Sequence, residues 1–358
     1  MMRGGLAKRA GAASWEGAKE VSADELPPRE VLWKMANAYQ ASQAIHVAAT
    51  LGIADLLEGG PRSTEDLAQA THTHAPSLYR LLRALSSVGV FAEHSDGRFG
   101  LTPLAEHLKT DAPGSLRAWA MFLGRPYIWS AWAHLLESVR TGEAAFPKLH
   151  GTSYWEYLTP RPEEGAIFDA AMTELSALAA EAIVGSYDFS GISVLADVGG
   201  GQGRLLAAIL KANPALRGVL FDQSHVVANA RELLEREGVS ERCEVVGGSF
   251  FEAVPTGADA YLLKSVILDW DDATAIEILG KVRAAMPKSG RLLLVERLVG
   301  PPNEPDPAKF SDLNMLVMQR GRARTTEEFA RLYAAAGFRL AGVTETGSPY
   351  DIIEATPI

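Results

Sequence analysis

Apolar residues recur at two different periods along this chain, and the change falls near residue 188. Before that point they recur every three or four positions, as in an amphipathic helix. After it, short apolar runs alternate with helical stretches, as in strand–helix units built around a parallel sheet. The pattern predicts a helical half followed by an α/β half, with residues 1–27 as a disordered tail.

Residues 28–110 have the order of elements expected for a winged helix. Apolar spacing predicts two packed helices over 28–57, and two more helices follow before a short hairpin over 88–101. Arg80 and Arg83 lie on the last of these helices, so DNA binding is one interpretation. The leucines beside them and the acidic chain favour packing against protein instead.

Residues 111–187 form a second helical segment that is unusually aromatic. Apolar stripes at helical spacing occur more often in a core than in a pocket. Because this segment lies between the winged helix and the α/β half, it can serve both purposes, and we expect Phe168 and Met172 to form a pocket wall. Its aromatic residues are Trp119, Phe122, Tyr127, Trp129, Trp132, Phe146, Tyr154, Trp155, Tyr157 and Phe168.

The α/β half begins with an apolar strand that ends at an acid and opens into glycines. The run 193–198 predicts a buried strand, and a helix follows the glycines. Between them, Gly199, Gly201 and Gly203 predict a turn that can approach a ligand closely. A second strand ends at Asp222, roughly 20 residues on, where such a unit presents a carboxylate to a ribose hydroxyl. Together these features predict a nucleoside-binding crevice.

The rest of this half continues to alternate strands and helices. Such alternation predicts a doubly wound sheet whose ligand lies outside the carboxyl ends of the strands. The proline-rich stretch 300–307 predicts a rigid loop. The predicted strands cover 243–246, 258–264 and 291–296, the helices cover 226–238, 274–286 and 325–337, and a final hairpin covers 339–353.

The composition of the 358-residue chain narrows the classes of partner. A net charge of −10 argues against broad nucleic-acid binding, because the phosphate backbone rewards a basic surface. No apolar run approaches the roughly 18 residues of a membrane span. Cys243 is the single cysteine, which excludes an intrachain disulfide and fits a reducing cytoplasm. We therefore expect a cytoplasmic protein that binds a small molecule and neither nucleic acid nor membrane.

The acid before the glycines distinguishes this turn from a dinucleotide fingerprint. The sequence Asp197-Val-Gly-Gly-Gly-Gln-Gly203 resembles the first motif of class I S-adenosylmethionine (SAM) methyltransferases. From about residue 31 to 353 the chain is similar to the plant and bacterial small-molecule O-methyltransferases of the caffeate and hydroxyindole type. The resemblance implies a Rossmann-like SAM-binding domain over 188–358 and an N-terminal winged helix that forms a homodimer. Other stretches that carry it are Leu78-Tyr-Arg-Leu-Leu-Arg-Ala-Leu85, Phe168-Asp-Ala-Ala-Met172, Gly248-Ser-Phe-Phe251, Asp269-Trp270 and Arg324-Thr325.

The resemblance also implies which residues hold SAM. Asp197 would lie near the amino acid end of SAM, and Asp222 would bind the ribose. Ser249 stands where the family has Asp; it can still hydrogen-bond the adenine amino group, with a loss of about 1 kcal/mol. The expected cofactor-binding residues are Asp197, Gly199, Gly201, Gly203, Asp222, Gln223, Ser249, Phe250, Lys264 and Trp270.

The catalytic positions depart from the family pattern. Leu268 occupies the position of the family His, which removes the proton from the acceptor hydroxyl, and leucine cannot accept a proton. Of the two family glutamates that orient this His, Glu296 is present and Ala323 replaces the other. General base catalysis contributes about 10² to 10⁴-fold, so methylation of a phenol in the family's manner should be badly impaired.

The sequence therefore predicts a methyltransferase whose acceptor needs no His base, such as an electron-rich carbon, an amine or an alkene. For the alkene of a prenyl diphosphate, Glu174 would join Glu296 as a catalytic residue and remove the proton from a carbocation. The arginines around Arg320 would then bind the phosphates, and Mg²⁺ is expected only with such an acceptor. The predicted acceptor site comprises Phe168, Met172, Leu268, Met315, Met318 and Arg320.

Three alternatives stay open at this point. One is an O-methyltransferase with a replaced base. Another is a SAM-binding enzyme of secondary metabolism that transfers no methyl group, such as a decarboxylating hydroxylase or a pericyclase. The third is a catalytically inactive binding protein, against which the intact glycine turn, Asp222 and Lys264 argue.

Overall fold

The computed structural model describes residues 26–358, of which 26–41 and 42–358 belong to two different compact units. The predicted tail over 1–27 lies outside the described residues except for its last two positions. Helix α1 (Pro28–Thr50) begins at a proline, which lacks the N–H that a first helical turn leaves unpaired. Two helices lie within 28–57, but they divide at a different place from the one expected. Helix α1 is continuous because no Gly or Pro interrupts it before Gly52, and the second helix is only the short α2 (Ile53–Leu56).

The order of helices and strands expected for a winged helix is confirmed. Helix α3 (Thr64–Thr71) is capped by Ser63, and α4 (Ala75–Ser86) leads into strands β1 (Phe91–Glu93) and β2 (Phe99–Leu101), which pair antiparallel. The hairpin starts at Phe91 and not at residue 88, because the chain turns at Gly89 with a φ of 79°. Helix α5 (Pro103–Glu106) closes this part.

The aromatic segment is helical, as predicted. Its longest helix is α11, with 25 residues, and aromatic side chains from the shorter helices form one cluster with it. Its helices are α6 (Arg117–Leu123), α7 (Pro126–Trp132), α8 (Leu135–Thr141), α9 (Ala145–His150), α10 (Tyr154–Leu158) and α11 (Pro162–Ser186).

The α/β half forms a seven-stranded sheet with the order β5-β4-β3-β6-β7-β9-β8. Strands β3 to β7 are parallel, and β9 runs antiparallel between β7 and β8. The strands are β3 (Val194–Val198), β4 (Arg217–Asp222), β5 (Cys243–Gly247), β6 (Ala260–Lys264), β7 (Arg291–Glu296), β8 (Phe338–Glu345) and β9 (Asp351–Pro357). The helices are α12 (Arg204–Ala212), α13 (Ser224–Val227), α14 (Ala230–Arg236), α15 (Asp272–Ala285), α16 (Pro307–Met318) and α17 (Thr326–Ala335).

Side chains of β3 alternate between two cores, one on each face of the sheet. Leu195 lies in a cluster with Ile183 of α11 and Leu206 of α12, whereas Ala196 lies in a second cluster with Ile278 of α15. From β3 the chain continues to β4 and β5 on one side and then to β6 and β7 on the other. The carboxyl end of β3 is therefore the switch point at which such sheets bind ligands.

Two helix predictions in this half were wrong. The single helix expected over 226–238 is divided into α13 and α14, and Asn229 is the N-cap of the second helix. Helix α16 was missed behind the loop predicted over 300–307. Its start signal was present, because the side chain of Asp306 accepts a hydrogen bond from Ala308 N at 2.8 Å and a proline occupies the first helical position.

Within residues 26–358, no helix has both the length and the hydropathy needed to cross a lipid bilayer.

Candidate functional site

The glycine turn between β3 and α12 is fixed to the end of β4. Gly199 and Gly200 donate backbone N–H groups to the carbonyl of Phe221 at 2.8 and 3.3 Å. A Cβ on Gly199 would lie 2.7 Å from Val266 Cγ2, so no larger residue fits there. A Cβ on Gly201 would meet nothing within 4 Å, although its φ of 60° still favours glycine. The turn therefore borders open space at Gly201.

Asp222 links this turn to the end of β4. Its Oδ2 accepts a hydrogen bond from Gly201 N at 2.8 Å, and its Oδ1 accepts one from Gln223 N at 2.7 Å. A carboxylate offers about four acceptor sites, so it can still accept hydrogen bonds from the two hydroxyls of a ribose. Gln223 contributes its backbone to this arrangement, and its side chain is exposed.

Asp197, near the end of β3, is a buried acid with one unpaired carboxylate oxygen. It is 2% exposed, and its Oδ1 has no hydrogen-bond partner. Burial raises its pKa to about 7, the charge of Asp222 also raises it, and the charge of Lys264 opposes the shift. Because an unpaired buried polar atom is costly, a cationic ligand group is the partner that this position fits.

An aromatic wall borders the site beyond β5 and β6. Phe250 and Phe251 lie with ring centroids 6.2 and 4.9 Å from that of Trp270, both edge to face. Ser249 Oγ accepts a hydrogen bond from Phe251 N at 3.3 Å, which leaves the hydroxyl hydrogen to donate to a ligand. Lys264, the last residue of β6, places Nζ 4.5 Å from the centre of the Tyr350 ring.

These groups fit SAM. Asp222 suits the ribose hydroxyls, Asp197 suits the cationic amino acid end, and Phe250 with Trp270 offers apolar surface to the adenine. All ten predicted cofactor positions lie at the carboxyl ends of β3 to β6 or in the loops that follow them. No group of His, Cys, Asp or Glu side chains in the described part of the chain could hold a metal ion, so the expectation of Mg²⁺ has no support.

The residues expected on the acceptor side lie around Phe168 of α11. Its ring centroid lies 5.6 Å from that of Phe122, 5.7 Å from that of Tyr154 and 5.6 Å from that of Trp155. Met172, one turn further along α11, packs against the same cluster. The predicted wall of Phe168 and Met172 is thus part of an aromatic cluster that also forms a core.

Helix α16 contributes to this cluster through Met318. Trp132 Nε1 donates a hydrogen bond to Asn314 Oδ1 at 3.0 Å, which fastens α16 to α7. Met315 is buried but lies outside the aromatic cluster. The structure thus places one of the two predicted α16 methionines in the aromatic cluster.

Glu174 is not positioned as a base, and this prediction was wrong. Its Oε1 accepts hydrogen bonds from Ser115 Oγ at 3.2 Å and from Ala118 N at 2.9 Å, and its Oε2 accepts one from Trp119 N at 2.8 Å. The carboxylate therefore caps the start of α6, whose own N-cap, Leu116, has no side-chain oxygen. Both of its oxygens serve the fold.

Two of the three arginines predicted to bind phosphate form ion pairs within the chain. Arg324 is 0% exposed and donates to Asp272 Oδ1 at 2.8 Å and to Trp270 O at 2.8 Å. Arg322 pairs with Asp272 and with Glu328. Arg320 is exposed. A diphosphate site at these residues was therefore a wrong prediction, because two of the guanidinium groups already have carboxylate partners.

Leu268 lies in a short 3₁₀ turn, Ile267–Asp269, that is held from two sides. Glu296 is 1% exposed, and its Oε1 accepts hydrogen bonds from Ile267 N at 3.0 Å and from Leu268 N at 3.3 Å. Arg324 donates to Ile267 O at 3.0 Å. Burial raises the pKa of Glu296 to about 7. Glu296 thus orients the backbone of the loop and not the side chain of a catalytic base.

The position of the second family glutamate, Ala323, is buried and tightly packed. Ala323 is 7% exposed, and its N–H donates to Asp312 Oδ1 at 2.8 Å. A Cβ on Gly321 would lie 2.0 Å from Leu268 O, so the segment before Ala323 packs directly against the Leu268 backbone. Substitution at this glycine would displace the loop.

Several polar residues near these positions had no predicted catalytic role. Gln319 Nε2 donates to Asp269 Oδ1 at 3.3 Å, and burial, followed by the charge of Glu296, raises the pKa of Asp269 well above its usual range. Burial raises the pKa of Asp169 to about 6. Tyr154 is buried beside Tyr127, and burial raises the pKa of its hydroxyl well above the usual range. The sequence could have drawn attention to the two acids because each directly follows a predicted site residue: Asp269 follows Leu268, and Asp169 follows Phe168.

Comparisons with known proteins identify the family of this chain. The model of the O-methyltransferase domain matches residues 132–339, and the model of the O-methyltransferase dimerisation domain matches residues 33–111. A phenazine O-methyltransferase of Lysobacter antibioticus is 44% identical over 94% of this chain and 98% of its own. An 8-amino-8-demethylriboflavin N,N-dimethyltransferase of Streptomyces davaonensis is 38% identical over 87% of this chain and 90% of its own.

Among solved structures, human N-acetylserotonin methyltransferase in complex with SAM matches with a TM-score of 0.86 at 26% identity, over 94% of this chain and 99% of that chain. The predicted fold class, a Rossmann-like SAM-binding domain with an N-terminal dimerisation domain, is confirmed. The chain therefore belongs to the O-methyltransferase family and is a SAM-dependent methyltransferase that acts on small molecules.

Proposed function

We propose that this enzyme methylates a nitrogen atom of a planar heteroaromatic acceptor without a general base. The observation that carries the proposal is the apolar side chain of Leu268 at the position of the family base, with Glu296 engaged by the backbone of the same loop. A ring nitrogen offers its lone pair without first losing a proton. The absence of the base therefore does not slow methyl transfer to such an acceptor.

The residues of the chain act by binding and positioning in this mechanism. SAM supplies the electrophilic methyl group when it is bound. Asp222 and Asp197 hold its ribose and its amino acid end, and this fixes the direction from which the acceptor must approach. Phe168, Trp155 and Phe122 present apolar rings that suit a flat acceptor and exclude water. Holding two reactants in line supplies much of the rate enhancement that such a transfer needs.

The names of relatives support a flat acceptor and are compatible with methylation of a nitrogen atom. One relative is named for a phenazine, and the Streptomyces davaonensis relative is an N,N-dimethyltransferase of an aminoriboflavin. Both acceptors are fused-ring nitrogen heterocycles. Alkene methylation of a prenyl diphosphate is not proposed, because its base and its phosphate ligands have other partners.

The test is product analysis with methyl-labelled SAM. Purified enzyme is incubated with pairs of fused-ring acceptors that offer either a ring nitrogen or a phenol, and S-adenosylhomocysteine release is measured together with the carbon-13 shift of the new methyl group. The proposal expects N-methyl products, with the rate on the nitrogen acceptors constant once the pH exceeds the pKa of the acceptor. Exclusive O-methylation of the phenols would overturn it.

A second candidate is O-methylation with Asp269 as the replacement base. It is favoured by one observation: Asp269 directly follows Leu268, and burial raises its pKa well above the usual range, which makes its ionised form a stronger base. Under this alternative the rate rises with pH through the raised pKa, and Asp269→Asn lowers turnover on phenols by about 10²-fold or more. The same variant leaves N-methylation largely intact under the first proposal.

A further inference from the structure

Asp197 and Lys264 lie on one face of the sheet, near the carboxyl ends of neighbouring strands. Side chains alternate along a strand, so Asp197 shares its face with Leu195, which packs in the core against α11 and α12. Lys264 shares its face with Leu262, which belongs to the same core. Asp197 stands opposite Leu262 in the parallel register, so Lys264 follows two residues further along β6. A carboxylate and an ammonium therefore border the same part of the cofactor site.

These opposite charges do not form an ion pair with each other. Within residues 26–358, the half-buried Lys264 forms no ion pair, and its ammonium makes no hydrogen bond. Asp197 forms no ion pair in this part of the chain either, and its Oδ1 has no hydrogen-bond partner. A lysine ammonium stands on a flexible stem, so a buried carboxylate on the same face should attract it. Another contact must therefore hold the ammonium away from Asp197.

Tyr350 makes this contact with Lys264. The lysine Nζ lies over the tyrosine ring, 4.5 Å from its centre. The ring is 5% exposed and packs in the same core as Leu262, so its position is fixed. A cation over the face of a tyrosine is attracted by the electrons of the ring. The ring thus gives the ammonium a defined position without using any of its three N–H donors.

Arg297 fixes the tyrosine in turn. Its Nη2 donates a hydrogen bond to the Tyr350 hydroxyl at 3.2 Å, and its Nη1 donates one to Ser311 Oγ of α16 at 2.9 Å. The side chain of Ser265 also interacts with this hydroxyl. Arg297 forms no ion pair among the described residues, and its Cζ lies 4.8 Å from the centre of the Tyr350 ring. Two cations therefore contact one ring without a carboxylate partner, an arrangement that an anionic ligand group would stabilise.

We propose that Tyr350 is a positioning residue for cofactor binding. Its ring keeps the Lys264 ammonium away from Asp197, so that the lysine binds the carboxylate of the amino acid end of SAM while Asp197 binds the ammonium of that end. Without the ring, Lys264 would pair with Asp197, and both partners of the amino acid end would be lost. The inference uses the SAM-dependent activity and does not depend on which atom of the acceptor is methylated.

The experiment measures dissociation constants by calorimetry, so no turnover is needed. The probes are S-adenosylhomocysteine, its decarboxylated analogue, which keeps the amino group, and methylthioadenosine, which lacks the whole amino acid end. We expect the wild-type enzyme to bind S-adenosylhomocysteine about 10-fold or more tightly than the decarboxylated analogue, as a charge-assisted hydrogen bond allows. Lys264→Met keeps an unbranched side chain without the charge and should remove most of this preference.

Tyr350→Leu keeps an apolar side chain in the core and removes the aromatic ring. We expect the preference for the carboxylate to fall by about 3-fold or more, while methylthioadenosine keeps its dissociation constant within about 2-fold. Tyr350→Phe retains the ring and should retain the preference. Tyr187→Leu is the matched control, because it shortens another tyrosine that packs against the same core but precedes β3, and it should also retain the preference.

Three results would overturn the inference. One is a wild-type enzyme without preference for the carboxylate, a comparison that needs no variant. Another is a Tyr350→Leu enzyme that keeps the preference or binds all three probes more weakly by the same factor, because a purely structural role would affect them equally. The third is a Tyr350→Phe enzyme that loses the preference as completely as Tyr350→Leu, since the hydroxyl and not the ring would then place the lysine.

Failure of the proposed function looks different from these results. An enzyme that methylates only phenols can still show the preference for the carboxylate and its loss in Tyr350→Leu, which supports the role of Tyr350 and rejects N-methylation. An enzyme that methylates nitrogen without this preference supports the proposed function and rejects the role of Tyr350.

Discussion

The backbone N–H of Leu268 donates a hydrogen bond to Glu296 Oε1 at 3.3 Å, and the N–H of Ile267 donates to the same oxygen at 3.0 Å. A carboxylate that would orient a catalytic imidazole in the family therefore holds the backbone of the turn that carries Leu268. This contact underlies the first prediction.

Restoring the family residues should not increase activity on a nitrogen acceptor. In Leu268→His with Ala323→Glu, the imidazole would introduce a polar group beside a pocket of apolar rings, and unpaired polar burial costs roughly 1 to 3 kcal/mol. We expect equal or lower kcat/KM on the native acceptor, measured by S-adenosylhomocysteine release. A double variant that gains rate would mean that the chain is an O-methyltransferase that has lost its base.

Glu174→Gln should lower stability and spare turnover. The glutamine Nε2 would face a backbone N–H that now donates to a carboxylate oxygen, so the cap of α6 is lost and unfolding becomes easier by about 1 to 3 kcal/mol. Thermal melting measures this loss, with the exposed Glu181→Gln on the same helix as control. A variant that melts like the wild type but turns over about 10²-fold more slowly would instead restore Glu174 as a base.

Asp222→Ala should abolish the rise in melting temperature that S-adenosylhomocysteine produces. A ligand that binds the native state stabilises it by mass action, and this variant removes the proposed ribose partner. Asp259→Ala is a matched control, because Asp259 also accepts two backbone N–H groups, from Ser193 and Val194 at 2.9 Å each, but at the opposite end of β3. The control should keep the thermal shift. An unchanged shift in Asp222→Ala would reject the ribose assignment.

Cofactor binding should strengthen as the pH rises towards about 7. Burial raises the pKa of Asp197 from 3.8 to about 7, so the folded protein holds this proton more tightly than the unfolded chain. Its contribution to stability is complete below about pH 4 and is lost as the pH rises through 7, where the carboxylate forms without a partner. A cationic ligand group supplies that partner.

The thermal shift with S-adenosylhomocysteine should therefore be larger at about pH 8 than at about pH 6. Calorimetry in buffers of different ionisation enthalpy should detect proton release in the same pH range. Asp197→Asn cannot ionise and should lose most of this pH dependence. A wild-type shift that is constant across this range would contradict the assignment of Asp197 to the cationic end of SAM.

The protein should be a homodimer at micromolar concentration, as its dimerisation domain indicates. Large apolar side chains of α1 are exposed, with Trp33 at 67% and Leu32 at 68%, and exposed apolar patches mark interfaces. Trp33→Glu should shift the mass measured by light scattering towards the monomer. Phe310→Glu, which removes a side chain 73% exposed outside the matched dimerisation domain, should not. A monomeric wild-type protein would reject the prediction.

Features that depend on local order could be predicted from the sequence alone. The acid-glycine turn, the strand–helix alternation and the winged-helix pattern each arise from residues close together in the chain, and all three were predicted. The absence of the family His could also be inferred from Leu268, because no neighbour can give leucine a proton-accepting group. The ten cofactor positions follow from the same local motifs, and their roles stay a proposal.

Which polar side chains are available for catalysis or ligand binding could be seen only in the tertiary structure. Glu174 caps a helix that begins more than 50 residues earlier in the chain, and Arg324 is buried against the loop at Trp270, so neither partnership has a local signal. The hydrogen bond from Gln319 to Asp269 likewise depends on how the end of α16 meets the turn that carries Leu268. A side chain's type limits the chemistry that it can do, but its hydrogen-bond partners, which lie far away in sequence, determine whether that chemistry is available.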